Sequence, residues 1–208
     1  MLVNDIDVSL LKHKLVPSEL RTKTRPEWST VALQNFKAFL QDHAACERKA
    51  AASAMSLIAK FPHRITLVDT LGKLAQEELE HFQQVFLLLR DRGWDLGTPP
   101  KDHYVNLLRK EVRHAPDEHF MDMLLISGLI EARSCERFEL MATALETREP
   151  ELAAFYDQLA RVEARHNILF VRLAHGYLNG DAVDARLDEL LDIEAKIVDS
   201  LPANGLVH

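Results

Sequence analysis

The spacing Glu-x-x-His occurs twice in this chain, at Glu78–His81 and again at Glu163–His166. Both copies lie in long stretches where apolar residues recur with the period of an α-helix. Side chains three residues apart project from the same face of a helix, so each pair can converge on one metal ion. A two-metal site in a four-helix bundle needs one further Glu from each of the other two helices. The repeat therefore favours a fold in which long helices run side by side.

Glu47 and Glu131 are the glutamates that complete this pattern. Glu47 precedes Glu78 by 31 residues, and Glu131 precedes Glu163 by 32. At about 1.5 Å rise per residue, the two glutamates of each hairpin are roughly level. Core-facing carboxylates without a bound cation carry a large free-energy cost from desolvation and mutual repulsion. The alternative, that these residues are core polar groups satisfied by hydrogen bonds alone, is therefore weaker. The sequence predicts a dinuclear site with the ligands Glu47, Glu78, His81, Glu131, Glu163 and His166.

The apolar pattern predicts an all-α fold, a ferritin-like four-helix bundle with one long crossover and an additional C-terminal helix. Only 7 Gly and 8 Pro interrupt a chain rich in helix-forming residues, which agrees with this class. We expect a single domain over residues 1–208, with an N-terminal arm at 1–27 and the bundle at 28–178. Helices are predicted at about 28–60, 64–92, 116–147 and 151–177, with the extra helix at 181–201 and a mobile tail at 202–208.

The crossover, residues 93–116, contains a predicted short helix at 104–113 and a concentration of positive charge. The chain has 25 Lys and Arg against 32 Asp and Glu, and its net charge of −7 disfavours a nucleic-acid partner. Metal ions neutralising four glutamates would raise this charge to −3 and leave room for a local basic face. Phosphate contacts and a solvated helix face explain the crossover charges equally well. The candidate RNA contacts are Lys101, Arg109, Lys110 and Arg113.

Other residues near the predicted ligands allow two interpretations each. Cys46 and Cys135 lie within a turn of ligand glutamates, so a thiolate role at the metal is conceivable, although packing between helices is commoner. His43, one turn before Glu47, is either a packed histidine or a donor that orients the ligand. Four glutamates that lie outside the apolar faces of the predicted helices are expected to be surface charge: Glu77, Glu80, Glu136 and Glu139. No apolar run reaches membrane-span length and no signal region is visible, which predicts a cytoplasmic protein.

Five segments carry a family resemblance: Asp42-His-Ala-Ala-Cys46-Glu47-Arg-Lys-Ala-Ala51, Ala54-Met-Ser-Leu57, Glu77-Glu78-Leu-Glu-His81-Phe, Tyr104-Val-Asn-Leu-Leu-Arg109 and Ile130-Glu131-Ala-Arg-Ser-Cys135-Glu136-Arg137. They resemble the bacterial tRNA-(2-methylthio-isopentenyladenosine) hydroxylases, the MiaE family. The resemblance covers about residues 30–178 and includes all six predicted ligands. Glu-x-x-His pairs alone are shared by ferritin-like carboxylate proteins in general, so the segments at 42–57 and 131–137 narrow the choice.

This resemblance implies a non-haem di-iron monooxygenase. Such an enzyme uses O2 and two electrons to hydroxylate the isopentenyl side chain of a modified adenosine next to the tRNA anticodon. The resemblance assigns the six ligands to two iron ions, although manganese would also suit oxygen and nitrogen donors. The target lies in a single-stranded loop, where proteins can splay bases out. An external reductase is implied because the sequence has no flavin or nicotinamide fingerprint and no cysteine cluster.

Two other classes of protein fit the same ligand pattern. A di-iron or di-manganese enzyme that handles peroxide would need neither RNA nor a basic surface. An iron-storage or detoxification protein would need a hollow multimeric shell, and the sequence leaves the oligomeric state open. A purely structural bundle is disfavoured because it would bury the charged cluster without a cation.

Overall fold

The computed structural model describes residues 19–208 of the chain. The first 18 residues of the predicted arm, with Lys12, His13 and Lys14, lie outside the described residues. Residues 19–208 form seven helices and no strand, which confirms the all-α prediction. The helices are α1 Trp28–Gln34, α2 Phe36–Lys60, α3 Ile65–Asp91, α4 His103–Arg109, α5 Pro116–Leu145, α6 Pro150–Tyr177 and α7 Gly180–Ser200. None of the helices in this part of the chain is long and apolar enough to cross a membrane.

The single helix predicted at 28–60 is wrong, because the chain leaves the helical conformation at Asn35. This residue has φ −120° and ψ 43°, and it separates α1 from α2. Its side-chain amide donates to the carbonyl of Val31 at 3.3 Å. Asparagine side chains compete in this way with backbone hydrogen bonds, which makes them common at helix boundaries. The other predicted helix ends agree with the structure to within a few residues.

The first compact unit comprises residues 30–101 and 204–207. Its centre is the hairpin of α2 and α3, which pack along one another across the turn at 61–64. Pro62 prevents α2 from continuing, since the residue before a proline is disfavoured in the helical conformation. Each fully buried leucine contributes about 1.5–3 kcal/mol of transfer free energy to this hairpin. The leucines buried in its core include Leu40, Leu57, Leu67, Leu71 and Leu89.

The C-terminal segment of the first unit is packed, and the prediction of a mobile tail is wrong. Gly205 has φ +70°, and a Cβ there would lie 2.6 Å from the backbone nitrogen of Ala32, so glycine is required. Val207 is fully buried, and its N–H donates to Oδ2 of Asp42 at 2.9 Å. The buried carboxylate supplies an acceptor for a backbone group that water cannot reach.

The second compact unit comprises residues 19–29, 102–203 and 208 among those described. Helices α5 and α6 form its hairpin, and α7 packs against α4, α5 and α6. The ring of His208 stacks on Tyr104 with centroids 5.6 Å apart, and its Nε2 lies 2.9 Å from Oγ of Ser134. Because α7 packs against three other helices, the extra C-terminal helix is an integral part of this unit.

A buried charged network joins α5 to α7 and to the segment before α1. Nε and Nη2 of Arg133 donate to Glu194 at 2.9 and 3.0 Å, and both side chains are fully buried. Tyr104 donates its hydroxyl to the same carboxylate at 2.9 Å. Burial raises the pKa of Glu194, and the charge of Arg133 opposes this shift. The network explains how α7 can bury a glutamate without a metal ion.

Glu136 belongs to this network, which corrects its prediction as surface charge. Its carboxylate pairs with Arg133, one turn earlier on α5, and accepts the backbone N–H of Thr24 at 3.0 Å. Only 12% of its side chain is exposed. The apolar stripe marks one face of α5, but the segment before α1 covers a second face, and Glu136 lies there.

Candidate metal centre

The first unit brings together three of the predicted ligands. Glu47 on α2 and Glu78 and His81 on α3 each offer a donor atom within 4.8 Å of the others. Nδ1 of His81 lies 3.6 Å from Oε2 of Glu47 and 3.6 Å from Oε2 of Glu78. All three residues are buried, and His81 is the most exposed of them at 8%. We call Glu47, Glu78 and His81 the first triad.

The second unit brings together the other three predicted ligands. Glu131 on α5 and Glu163 and His166 on α6 offer donor atoms within 4.8 Å of one another. Nδ1 of His166 lies 3.0 Å from Oε2 of Glu163. These side chains are also buried, with Glu131 the most exposed at 7%. We call Glu131, Glu163 and His166 the second triad.

The electrostatics of the first triad call for a cation. Burial raises the pKa of Glu47 to about 8; the nearby imidazole of His81 opposes this rise, and the charge of Glu78 adds to it. Two buried carboxylates so close together repel each other when both are ionised. A divalent cation would remove that cost, and carboxylate oxygens with an imidazole nitrogen are donors that suit iron or manganese. The donor chemistry of each triad therefore fits a metal ion.

Close helix packing accounts for the glycine beside the second triad. A Cβ placed on Gly128, three residues before Glu131, would lie 3.3 Å from Cβ of Phe170. Asn167, next to His166, is fully buried and donates its amide to the carbonyl of Gly128 at 2.8 Å. This contact anchors α6 to α5 within one turn of the ligands.

The surroundings of Cys135 do not favour a thiolate. Burial raises the pKa of Cys135 to about 12, and the nearby carboxylates of Glu139 and Glu163 raise it further. A thiol with so high a pKa keeps its proton at neutral pH. The structure thus favours the packing role for Cys135. Cys46 is buried, with its Sγ 3.9 Å from Oδ2 of Asp42.

The candidate RNA contacts differ in their surroundings. Lys101 is exposed in the first unit, and Arg109 and Lys110 are exposed at the end of α4 in the second. Arg113 instead binds the buried carboxylate of Asp122 through Nε at 2.9 Å and Nη2 at 2.8 Å. Its guanidinium is thus already engaged in the fold.

Sequence reasoning overlooked a second set of buried charges on α5 and α7. Asp122 is fully buried and also accepts from Nε of Arg186 at 2.9 Å. Burial favours a raised pKa for Asp122, but hydrogen bonds from Arg113 and Arg186 outweigh it and lower the pKa.

The sequence did contain a signal for the buried pair of Arg133 and Glu194, because Glu194 falls among the apolar residues on one face of α7. A carboxylate at such a position requires a buried partner.

Comparison with known proteins places the chain in a family. The family model described as tRNA-(MS[2]IO[6]A)-hydroxylase (MiaE) matches residues 12–208. A curated tRNA 2-(methylsulfanyl)-N(6)-isopentenyladenosine(37) hydroxylase of Pseudomonas putida is 40% identical over 169 residues, which cover 81% of this chain and 80% of that protein. The protein of the same name from Salmonella typhimurium is 27% identical over 79% of this chain and 77% of its own length.

A solved structure supports the fold class. The structure titled protein 43 with aldehyde deformylating oxygenase activity, from Synechococcus, matches with a TM-score of 0.84 and 34% identity. The match covers 91% of this chain and 94% of that chain. This agreement confirms the ferritin-like fold class predicted from the sequence. The extent of the family match and the identity to its curated members show that this chain belongs to the MiaE family of tRNA hydroxylases.

Proposed function

We propose that this chain is an O2-dependent, non-haem di-iron monooxygenase that hydroxylates the isopentenyl side chain of 2-methylthio-isopentenyladenosine in tRNA. The observation that carries the proposal is the pair of buried carboxylate–imidazole triads in a member of the MiaE family. Family membership supplies the substrate class, and the triads supply the donors that an O2-using metal centre needs.

We further propose that the two triads together hold two iron ions, with residues 1–208 acting as a single domain. When bound, iron supplies the one-electron steps that reduce O2 and oxidise an allylic C–H bond of the isopentenyl group. The six ligands are Glu47, Glu78, His81, Glu131, Glu163 and His166. Manganese is the alternative metal for the same donors.

The protein's own contribution is to hold charge and exclude water. The residues Glu47, Glu78 and Glu163 are at most 4% exposed, so the attraction of their carboxylates for a cation is little screened by solvent. The imidazoles of His81 and His166 add neutral donors, so the two glutamates of each triad would balance the charge of one divalent ion. Exclusion of water also protects a reactive centre from side reactions.

The proposed partners are the tRNA anticodon loop and an external electron donor. Lys101, Arg109 and Lys110 are the exposed cations proposed to contact phosphates, and Arg113 is proposed to act with them. Insertion of one oxygen atom into a C–H bond consumes O2, two electrons and two protons, and releases the other oxygen as water. A reductase must supply those electrons because the sequence carries no flavin or nicotinamide motif. We propose a cytoplasmic location, where tRNA is available.

A single-turnover assay tests this proposal. Iron-loaded, chemically reduced protein is mixed with O2 and tRNA that bears isopentenyladenosine, with and without the methylthio group. Mass spectrometry of the digested nucleosides should show the gain of one oxygen atom, and a ligand-deficient His166→Ala variant should show none. No gain from protein whose two irons oxidise normally would overturn the hydroxylase and favour the peroxide-handling alternative.

A further inference from the structure

His43 makes a direct contact with a proposed metal ligand. It lies on α2 one turn before Glu47, and its Nε2 is 2.7 Å from Oε1 of that carboxylate. The imidazole is fully buried, and its ring centroid lies 6.0 Å from that of Phe39. A buried hydrogen bond of this length to a carboxylate is strong and directional. It therefore restricts the rotation of the Glu47 side chain.

The two oxygens of Glu47 have different surroundings. Oε1 is held by His43, whereas Oε2 lies 3.6 Å from Nδ1 of His81. His81 is itself a member of the first triad, so Oε2 is the oxygen that faces the other donors. With Oε1 engaged by His43, Oε2 would be the oxygen available to a metal ion.

We propose that His43 is a positioning residue for the first triad. Its Nε2–H donates to Oε1 of Glu47, fixes the carboxylate and leaves Oε2 on the side of His81, where it would be available to a metal ion. This inference rests on the proposed di-iron centre and deepens it. Loss of a hydrogen bond to a metal ligand typically weakens metal affinity by about 10–100-fold, so the effect of removing this contact is large enough to measure.

The second triad provides a matched control. Ser127 lies four residues before Glu131, the position on α5 that corresponds to His43 on α2. Its hydroxyl donates to the carbonyl of Met123 at 2.9 Å, within its own helix. Removal of this hydroxyl should therefore leave the metal-binding carboxylate where it is.

The test is an anaerobic titration of metal-free protein with Fe2+, followed by circular dichroism of the ferrous ligand-field bands. The wild type should bind two ions per chain. His43→Leu, which has no donor, should bind one of the two about 10–100-fold more weakly. His43→Gln, which keeps a side-chain N–H donor, should stay within about threefold of wild type, as should Ser127→Ala.

Several outcomes would overturn the inference. Wild-type affinity and spectra in His43→Leu would do so, as would an equal loss of affinity in His43→Gln and His43→Leu. Urea unfolding of the metal-free proteins establishes that each variant is folded. Should His43→Leu fail to fold, His43→Asn, whose amide is too short to reach Glu47, takes its place with the same expected loss. A wild type that binds no iron would overturn the di-iron proposal itself, and the role of His43 with it.

Discussion

The two helical hairpins carry the same ligand pattern but support it in different ways. In the α2–α3 hairpin, His43 contacts the carboxylate of the ligand Glu47 directly. In the α5–α6 hairpin, the buried pair of Arg133 and Glu194 holds the helix that carries Glu131 rather than the ligand itself. The supports seen in the two hairpins therefore differ although the ligand spacing repeats. One support contacts a ligand oxygen, and the other fixes the helix that carries a ligand.

Removal of a histidine from either triad should have the largest effect. We expect His81→Ala and His166→Ala each to weaken metal binding by more than about 100-fold, since even outer-shell partners are worth about 10–100-fold. Both variants should also lose single-turnover hydroxylation. Metal analysis after gel filtration measures occupancy, with the exposed His63→Ala as the control. Two tightly held ions in either variant would remove that histidine from the ligand set and break the equivalence of the two hairpins.

Disruption of the charged pair should distinguish support through the helix from support through the ligand. Arg133→Met leaves Glu194 buried without its guanidinium, which should lower the free energy of unfolding by about 3–5 kcal/mol. A second substitution, Glu194→Met, should recover at least half of that loss. Arg161→Met is the control, because Arg161 and Asp157 pair on the surface with 76% and 56% of their side chains exposed.

Urea unfolding of the metal-free proteins measures these differences. The exposed control pair should contribute no more than about 0.5 kcal/mol. Equal losses in Arg133→Met and Arg161→Met would show that the buried network does not stabilise the second hairpin.

Charge reversal should show which unit contributes more to tRNA binding. Arg109→Glu with Lys110→Glu in the second unit, and Lys101→Glu in the first, should each weaken tRNA binding by a few-fold to about tenfold. Each lost phosphate contact should reduce the slope of log affinity against log salt by about 0.7–0.9. Filter binding at several salt concentrations measures both quantities, and metal content should stay unchanged. Binding that is insensitive to all three substitutions would place the RNA surface elsewhere.

The smallest effect is expected from the cysteine near the second triad. Cys135→Ser should change metal affinity and turnover by less than about twofold, because the raised pKa keeps the thiol protonated and unable to bind a metal. The wild-type thiol should also react slowly with iodoacetamide at pH 7.5. Fast alkylation of Cys135, or a lost metal ion in Cys135→Ser, would reveal a thiolate at the second triad.

Helix geometry made each triad predictable from the sequence. The spacing of Glu78 and His81 on one helix is regular, and Glu47 follows from the distance of both helices to their shared turn. The break at Asn35 could not be predicted from periodicity, since it depends on one side chain competing with the backbone. Glu136 was misassigned because periodicity identifies the main buried face of α5 and gives no sign of a second covering segment.

The pairing of Arg133 with Glu194 constrains how this protein can evolve. A mutation that replaces only one partner produces a protein with an isolated buried charge. Such a protein is less stable than one with the intact ion pair and than one with apolar residues at both positions. The two positions are 61 residues apart in sequence, yet they should change together among descendants of this chain. Substitutions at one position are then accepted mainly on a background already altered at the other, so the order of mutations is restricted. The pair is thus a predicted site of epistasis, although Arg133 lies only two residues from the proposed ligand Glu131.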